Sequence, residues 1–285
     1  MTDQTKSAAG SGKVIFHILR FTPGKDTRPQ VAVYPVPVRP GMTVLDGLHH
    51  IKENLDPTLA WRYSCRMGVC GSCGMMIAGV PALACNTQIL EVARDRLALA
   101  PLPNFDIVRD LVPDLTDMLE KHREIAPFIQ RGGEEGGEAE LNDPAGEFYQ
   151  SPEELEAYLQ FSFCIKCGCC MAACPTVATD TRYLGPMPLT QAFRYNSDTR
   201  DGAAGPRASA AASRHGVFRC HYAGECSRAC PKGVDPAKAI QLLKRRLVAG
   251  YLGLAGRRPP CQKQGPARAE RQPGIPEPPP YTVTP

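Results

Sequence analysis

Cys164-Ile165-Lys166-Cys167-Gly168-Cys169-Cys170-Met171-Ala172-Ala173-Cys174-Pro175 is the stretch on which the fold turns. Read as C-x2-C-x2-C-x3-C-P, it sets four cysteines in a regular frame and leaves Cys169 over. The frame recurs at Cys220-His221-Tyr222-Ala223-Gly224-Glu225-Cys226-Ser227-Arg228-Ala229-Cys230-Pro231, where Ala223 takes the place of the second cysteine.

This spacing holds iron–sulfur cubes: three thiolates of a run bind one cluster and the fourth reaches its neighbour. Cys164, Cys167 and Cys170 then join Cys230, and four thiolates suit a [4Fe-4S] cluster. Cys174, Cys220 and Cys226 make only three. Alanine has no lone pair to give, so the second set suits a [3Fe-4S] cluster.

Upstream lies Tyr63-Ser64-Cys65-Arg66-Met67-Gly68-Val69-Cys70-Gly71-Ser72-Cys73-Gly74, followed by Leu83-Ala84-Cys85. C-x4-C-x2-C with a distant fourth cysteine is the plant-type [2Fe-2S] spacing, with Cys65, Cys70, Cys73 and Cys85 as ligands. Gly68, Gly71 and Gly74 are expected to supply positive φ angles and backbone N–H groups close to the sulfurs. Structural zinc is the bland reading of paired cysteines. The 65–85 spacing is not that of a zinc finger, and the 220–230 run fits zinc or free thiols only if read without its twin. Met67, Met75 and Met76 are read as packing.

The chain has 285 residues, room for two domains of roughly 100–200 residues each. Its thirteen cysteines are an odd number in tight groups, a pattern of metal binding more than of disulfides. A net charge of +4 is too small to imply nucleic acid. From Lys244 onward eight Lys or Arg face two Glu, a solvated basic tail that could also lie near anionic lipid. No stretch approaches the roughly 20 apolar residues of a membrane span. Met1–Gly12 lacks the apolar core of a secretory signal, so the chain is expected to stay in the cytoplasm. No G-x-G-x-x-G, P-loop lysine or nucleophile triad is present.

Taken in order, residues 1–12 read as disordered. Residues 13–105 form the [2Fe-2S] domain: strands at Lys13–Phe21 and Val31–Val36, a helix capped by Thr43 and Asp46, a turn at Gly79-Val80-Pro81, and strands at Met75–Ile77 and Arg96–Ala100. Residues 106–150 read as a connecting helix from Asp106 to about Glu124, then an acidic Gly-rich loop. Residues 151–253 form a helical domain opened by Ser151-Pro152-Glu153-Glu154. Its later helices fall near Pro188–Tyr195 and Ala208–Arg214, and from Asp235-Pro236 to about Leu252. The proline after each terminal cysteine should stop a helix from running into the cluster. Residues 254–285 read as a Pro-rich disordered tail in which Cys261 is no ligand. The fold class is α+β, a β-grasp ferredoxin domain followed by an α-helical bacterial-ferredoxin-like domain.

Tyr63 to Met76, Arg194-Tyr195-Asn196-Ser197-Asp198-Thr199-Arg200-Asp201 and Cys230-Pro231-Lys232-Gly233-Val234-Asp235-Pro236 resemble the iron–sulfur subunit of succinate dehydrogenase and fumarate reductase, especially the fumarate reductase branch. The likeness covers about residues 13–250. It implies an electron relay between a flavoprotein subunit carrying FAD and a quinone at a membrane-anchor subunit, by way of [2Fe-2S], [4Fe-4S] and [3Fe-4S]. The chain would sit peripherally on the cytoplasmic side of the membrane, held by those partners. The family's cluster ligands fall on the same eleven cysteines. Its quinone contacts fall near Pro175, His221, Tyr222, Gln241 and Lys244, though a lone histidine such as His221 is more often a surface or core residue. Many succinate dehydrogenases place a tryptophan soon after the first Cys-Pro. Here Thr176-Val177-Ala178-Thr179-Asp180 stands there, which favours menaquinone. A free ferredoxin-like carrier serving another flavoenzyme is the alternative.

Overall fold

The computed structural model describes residues 12–130 and 150–254. The expectations for residues 1–11, 131–149 and 255–285, Cys261 among them, lie outside the described residues.

β1 (Gly12–Arg20) and β2 (Gln30–Val38) pair as an antiparallel hairpin, with Val14 opposite Val36 and Phe16 opposite Tyr34. Alternate residues point to opposite faces of a strand, so Val14, Phe16 and Ile18 line one buried face. α1 (Val44–Asn54) adds Val44, Leu45, Leu48 and Ile51 to the same core. Its start is fixed by a capping box: Asp46 N–H donates to the Thr43 hydroxyl and the Thr43 N–H to the Asp46 carboxylate. β3 (Gly74–Ile77), β4 (Val80–Leu83), α2 (Ile89–Val92) and β5 (Arg96–Ala100) follow. The sheet order is β2-β1-β5-β3-β4, with β5 parallel to β1 and every other pairing antiparallel.

Two local expectations are corrected here. The turn expected at Gly79-Val80-Pro81 lies at Ala78 and Gly79, both at positive φ (50° and 82°). Val80 and Pro81 belong to β4, an edge strand, where a proline can be accommodated. The helix expected from Asp106 is replaced by a small hairpin, β6 (Ile107–Arg109) and β7 (Val112–Pro113), before α3 (Thr116–Glu124). Pro113 cannot sit inside a helix. Asp110, at φ 47° in the hairpin turn, accepts hydrogen bonds from Arg20 Nε (2.9 Å), Phe21 N (3.1 Å) and Ala60 N (2.9 Å). Tying the sheet domain to itself outweighs the apolar period that hinted at a helix.

The second half is helical: α4 (Pro152–Ser162), α5 (Cys169–Ala172), α6 (Pro175–Thr179), α7 (Pro186–Ser197), α8 (Ala204–Ala212), α9 (Glu225–Arg228) and α10 (Pro236–Tyr251). The architecture is thus α+β, sheet first and helices after. α7 is the hub and packs against α3, α4, α8 and α10, burying Met187, Leu189, Ala192 and Phe193. Fully burying each large apolar side chain contributes about 1.5–3 kcal/mol. The Asp198–Asp201 stretch works electrostatically. Arg200 pairs with Asp198, and the fully buried Arg207 pairs with Asp201 (2.8 Å) while donating to the Ile125 carbonyl (2.9 Å).

Pro175 does more than stop a helix. α5 ends at Ala172 and Pro175 opens α6, where the missing N–H of a first-turn proline costs nothing.

Candidate metal centres

The loop between α1 and β3 carries Cys65, Cys70 and Cys73, and a single 3-10 turn after β4 brings in Cys85. Gly68 (φ 69°), Gly71 (φ 74°) and even Arg66 (φ 59°) take left-handed backbone, which curls the loop around its own sulfurs. The N–H groups of Cys70 (3.2 Å) and Val69 (3.3 Å) point at Cys65 Sγ, and that of Gly68 at Cys85 Sγ (3.2 Å). Donors aimed at sulfur stabilise thiolate charge. Hydrogen bonding, first from the Ser72 side chain and then from the Cys65 backbone, holds Cys70 down to about 6. Burial pushes Cys73 up to about 12, so metal must displace a proton there. Gly74 departs from the expected positive φ. It starts β3, and the space it leaves is occupied from outside.

That neighbour is the second cysteine run. A Cβ at Gly71 would meet Cys167 Cβ at 2.7 Å, and one at Gly74 would meet the Cys167 carbonyl at 3.0 Å. The two glycines therefore let the first sulfur loop lie directly against Cys167.

The two C-terminal runs share one backbone design. Each has a non-glycine residue at positive φ in its third position, Lys166 (55°) and Tyr222 (61°). Each then has a glycine in its fifth, Gly168 (84°) and Gly224 (78°), and a single turn of helix, α5 or α9. Ala223 thus stands where Cys167 does in the first run, between neighbours of the same backbone sign.

Folding exchanges the last cysteine of each run. Cys164, Cys167, Cys170 and Cys230 line one cavity, beside Met187 and Pro231. Cys174, Cys220 and Cys226 line another, which, counting the first loop as a site, is the third cavity, with Ala223 in its wall. Burial first, and then the charges of Cys164, Cys167, Cys226 and Cys230, push Cys170 well above the usual thiol range. Burial also raises Cys226 to about 11, reinforced by Cys174 and Cys220. Cys169 is buried with Leu102 and Ala172 and lies outside the wall of either cavity.

The residues fit polynuclear clusters better than single ions. Four sulfurs on one zinc stand about 3.8 Å apart, given bonds of about 2.3 Å. Among the described residues no three His, Cys, Asp or Glu side chains converge to hold a lone ion. Thiols spread around a cavity suit a cube, in which each binds a separate iron.

Of the expected quinone contacts, Pro175, His221 and Tyr222 line the wall of the third cavity and are exposed. Lys244 Nζ donates to the Cys220 carbonyl at 2.8 Å. Gln241 lies three residues before it on α10, with its Nε2 buried and unpartnered. One residue of this site escaped the sequence. Tyr183 is fully buried in the wall of the third cavity, and no spacing rule marks it.

Residues 15–120 match the 2Fe-2S iron-sulfur cluster binding domain family and residues 160–234 the 4Fe-4S dicluster domain family. The chain is 43% identical over 232 residues to the fumarate reductase iron-sulfur subunit of Mycobacterium tuberculosis, covering 81% of this chain and 92% of that one. It is 42% identical to that of Haemophilus influenzae (86% and 96% covered) and 38% identical to the succinate dehydrogenase iron-sulfur subunit of Paracoccus denitrificans (82% and 87%). Among solved structures, a chain of the Mycobacterium smegmatis Sdh1 complex in the apo form aligns with a TM-score of 0.75 at 25% identity, over 85% of this chain and 98% of that one. At 38–43% identity over most of both chains, these relatives show that the chain belongs to the family of iron–sulfur subunits of fumarate reductase and succinate dehydrogenase.

Proposed function

We propose that this chain carries electrons between a flavoprotein subunit and a membrane quinone, as the iron–sulfur subunit of a fumarate reductase or succinate dehydrogenase complex. The observation that carries the reading is the sorting of eleven thiols into three neighbouring sets. Cys65, Cys70, Cys73 and Cys85 would hold [2Fe-2S]. Cys164, Cys167, Cys170 and Cys230 would hold [4Fe-4S], and Cys174, Cys220 and Cys226 [3Fe-4S]. When bound, these clusters accept and pass on single electrons, with potentials set by charge, hydrogen bonds and burial. The chain's own residues bury the sulfurs in part and aim backbone N–H groups at those of the first loop and at Cys220. The division into a 13–105 domain and a 151–253 domain, joined through 106–150, belongs to the same proposal.

The ends of the relay are read from exposed apolar side chains. Tyr63, Met67 (73% exposed) and Val69 surround the first sulfur loop and would meet the flavoprotein with its FAD. Phe218, Tyr222, Tyr251 (91% exposed) and Leu254 belong to the third site and the end of α10, and would face the anchor subunit. Among the described residues no helix is long and apolar enough to cross a membrane, consistent with a peripheral subunit held by partners on the cytoplasmic side. At the quinone, Lys244 and His221 would offer donors as negative charge develops on oxygen, while Pro175, Tyr222 and Gln241 shape the contact. Thr176 to Asp180 in place of a tryptophan favours menaquinone.

Redox-titrated EPR of the anaerobically purified chain, with iron and zinc measured, tests the assignment. Three separate paramagnetic centres and co-purification with a flavoprotein and a membrane subunit are expected. Stoichiometric zinc and a colourless protein would refute it. A stable three-cluster protein with neither partner would favour the free carrier.

A further inference from the structure

Tyr183 fills the wall of the third cavity beside Cys174, Cys220, Cys226 and Ala223. It is 0% exposed, and its hydroxyl is buried without a hydrogen-bond partner. The Cys220 thiol is close enough to interact with it but stands outside hydrogen-bond geometry. Its backbone is pinned on both sides, with Tyr183 N–H donating to the Asp180 carbonyl (3.1 Å) and Leu184 N–H to the His215 carbonyl (2.9 Å). With the whole residue buried, its oxygen is shut off from bulk solvent.

A phenylalanine would fill the same space without stranding a polar group, since an unpaired buried hydroxyl is costly. The oxygen therefore calls for an acceptor that arrives with the site's occupant. The cavity is walled by thiols, and an iron–sulfur cluster brings sulfur acceptors. We propose that the Tyr183 hydroxyl donates a hydrogen bond to sulfur at the third centre and thereby raises its reduction potential. This rests on the assignment of Cys174, Cys220 and Cys226 to a three-iron cluster. A donor aimed at cluster sulfur favours the reduced form, which carries one more negative charge. Tyr183 keeps its proton and transfers no electron. It positions a dipole, at the centre whose walls also carry the quinone-contact candidates, and so biases where the electron rests.

The test is Tyr183→Phe in the full chain within its assembled complex, read by redox-titrated EPR and by proton hyperfine spectroscopy in H2O and D2O. The three-iron signal should persist with a lower midpoint, while the [2Fe-2S] and [4Fe-4S] midpoints stay put. One exchangeable proton coupling at the three-iron centre should disappear. Tyr183→Leu should lower the midpoint in the same direction. An unchanged midpoint, an equal shift at all three centres, or loss of the three-iron signal alone would each overturn the proposal. Absence of any three-iron signal in the unaltered protein would instead overturn the ligand assignment, so the two failures are separable.

Discussion

At the scale of single residues, position 223 decides what the third site can hold. Its backbone already has the form of a ligand position, bracketed by Tyr222 and Gly224 at positive φ as Cys167 is by Lys166 and Gly168. Ala223→Cys therefore needs no rearrangement and is expected to convert a three-iron centre into a four-iron one. The three-iron EPR signal should vanish and a new midpoint appear; persistence of the original signal would mean the register of the two runs is misdrawn. Cys169→Ala is the companion test. That thiol is buried beside Leu102, outside both cavities, and all three centres should survive its removal. The grouping of the thiols was legible because their spacing is written in the chain. Tyr183 was not, since its significance comes from where its hydroxyl ends up, and burial is a property of the fold.

At the scale of elements, what could be read locally was read well. Thr43 with Asp46 and Ser151 with Glu154 each close a capping box, and both helices begin where those side chains place them. The 106–124 segment failed because its outcome is tertiary. Asp110 is claimed by Arg20, Phe21 and Ala60 across the domain, an arrangement no window of neighbouring residues can reveal. The helix that does form there, α3, carries a pH dependence. Burial first, then the charge of Lys166, lowers His122 to about 4. Unfolded histidine titrates near about 6.5, so between those values the unfolded chain binds more protons. The neutral ring's contribution is intact above that window and is lost as pH falls through it. Thermal melts of His122→Gln should show a shallower loss of Tm from pH 7 to pH 5 than the parent; parallel slopes would contradict this.

At the scale of the whole molecule, the two halves meet at Gly71 and Gly74 against Cys167. Gly71→Ala adds a Cβ 2.7 Å from Cys167 Cβ at a left-handed backbone position. Gly79→Ala has the same backbone sign and open space around it. The control should cost about 1–2 kcal/mol from backbone strain alone. Gly71→Ala should add about 1–3 kcal/mol of overpacking. It should also weaken the spin–spin interaction between the first two centres. Equal destabilisation of the two variants, by denaturant titration, would show that the contact is looser than drawn. The crossed donation of Cys174 and Cys230 carries a further consequence, for biosynthesis. A nascent chain that has left the ribosome only as far as Ala212 has made four of the seven thiols assigned to a cube but only one of those in the last run's pocket. The three-thiol set cannot be complete until Cys226 has emerged, nor the four-thiol set until Cys230 has. Cluster delivery to this half must therefore wait for the last run to emerge, and a truncation before Cys220 leaves both of its thiol sets incomplete while sparing the four thiols of the first loop.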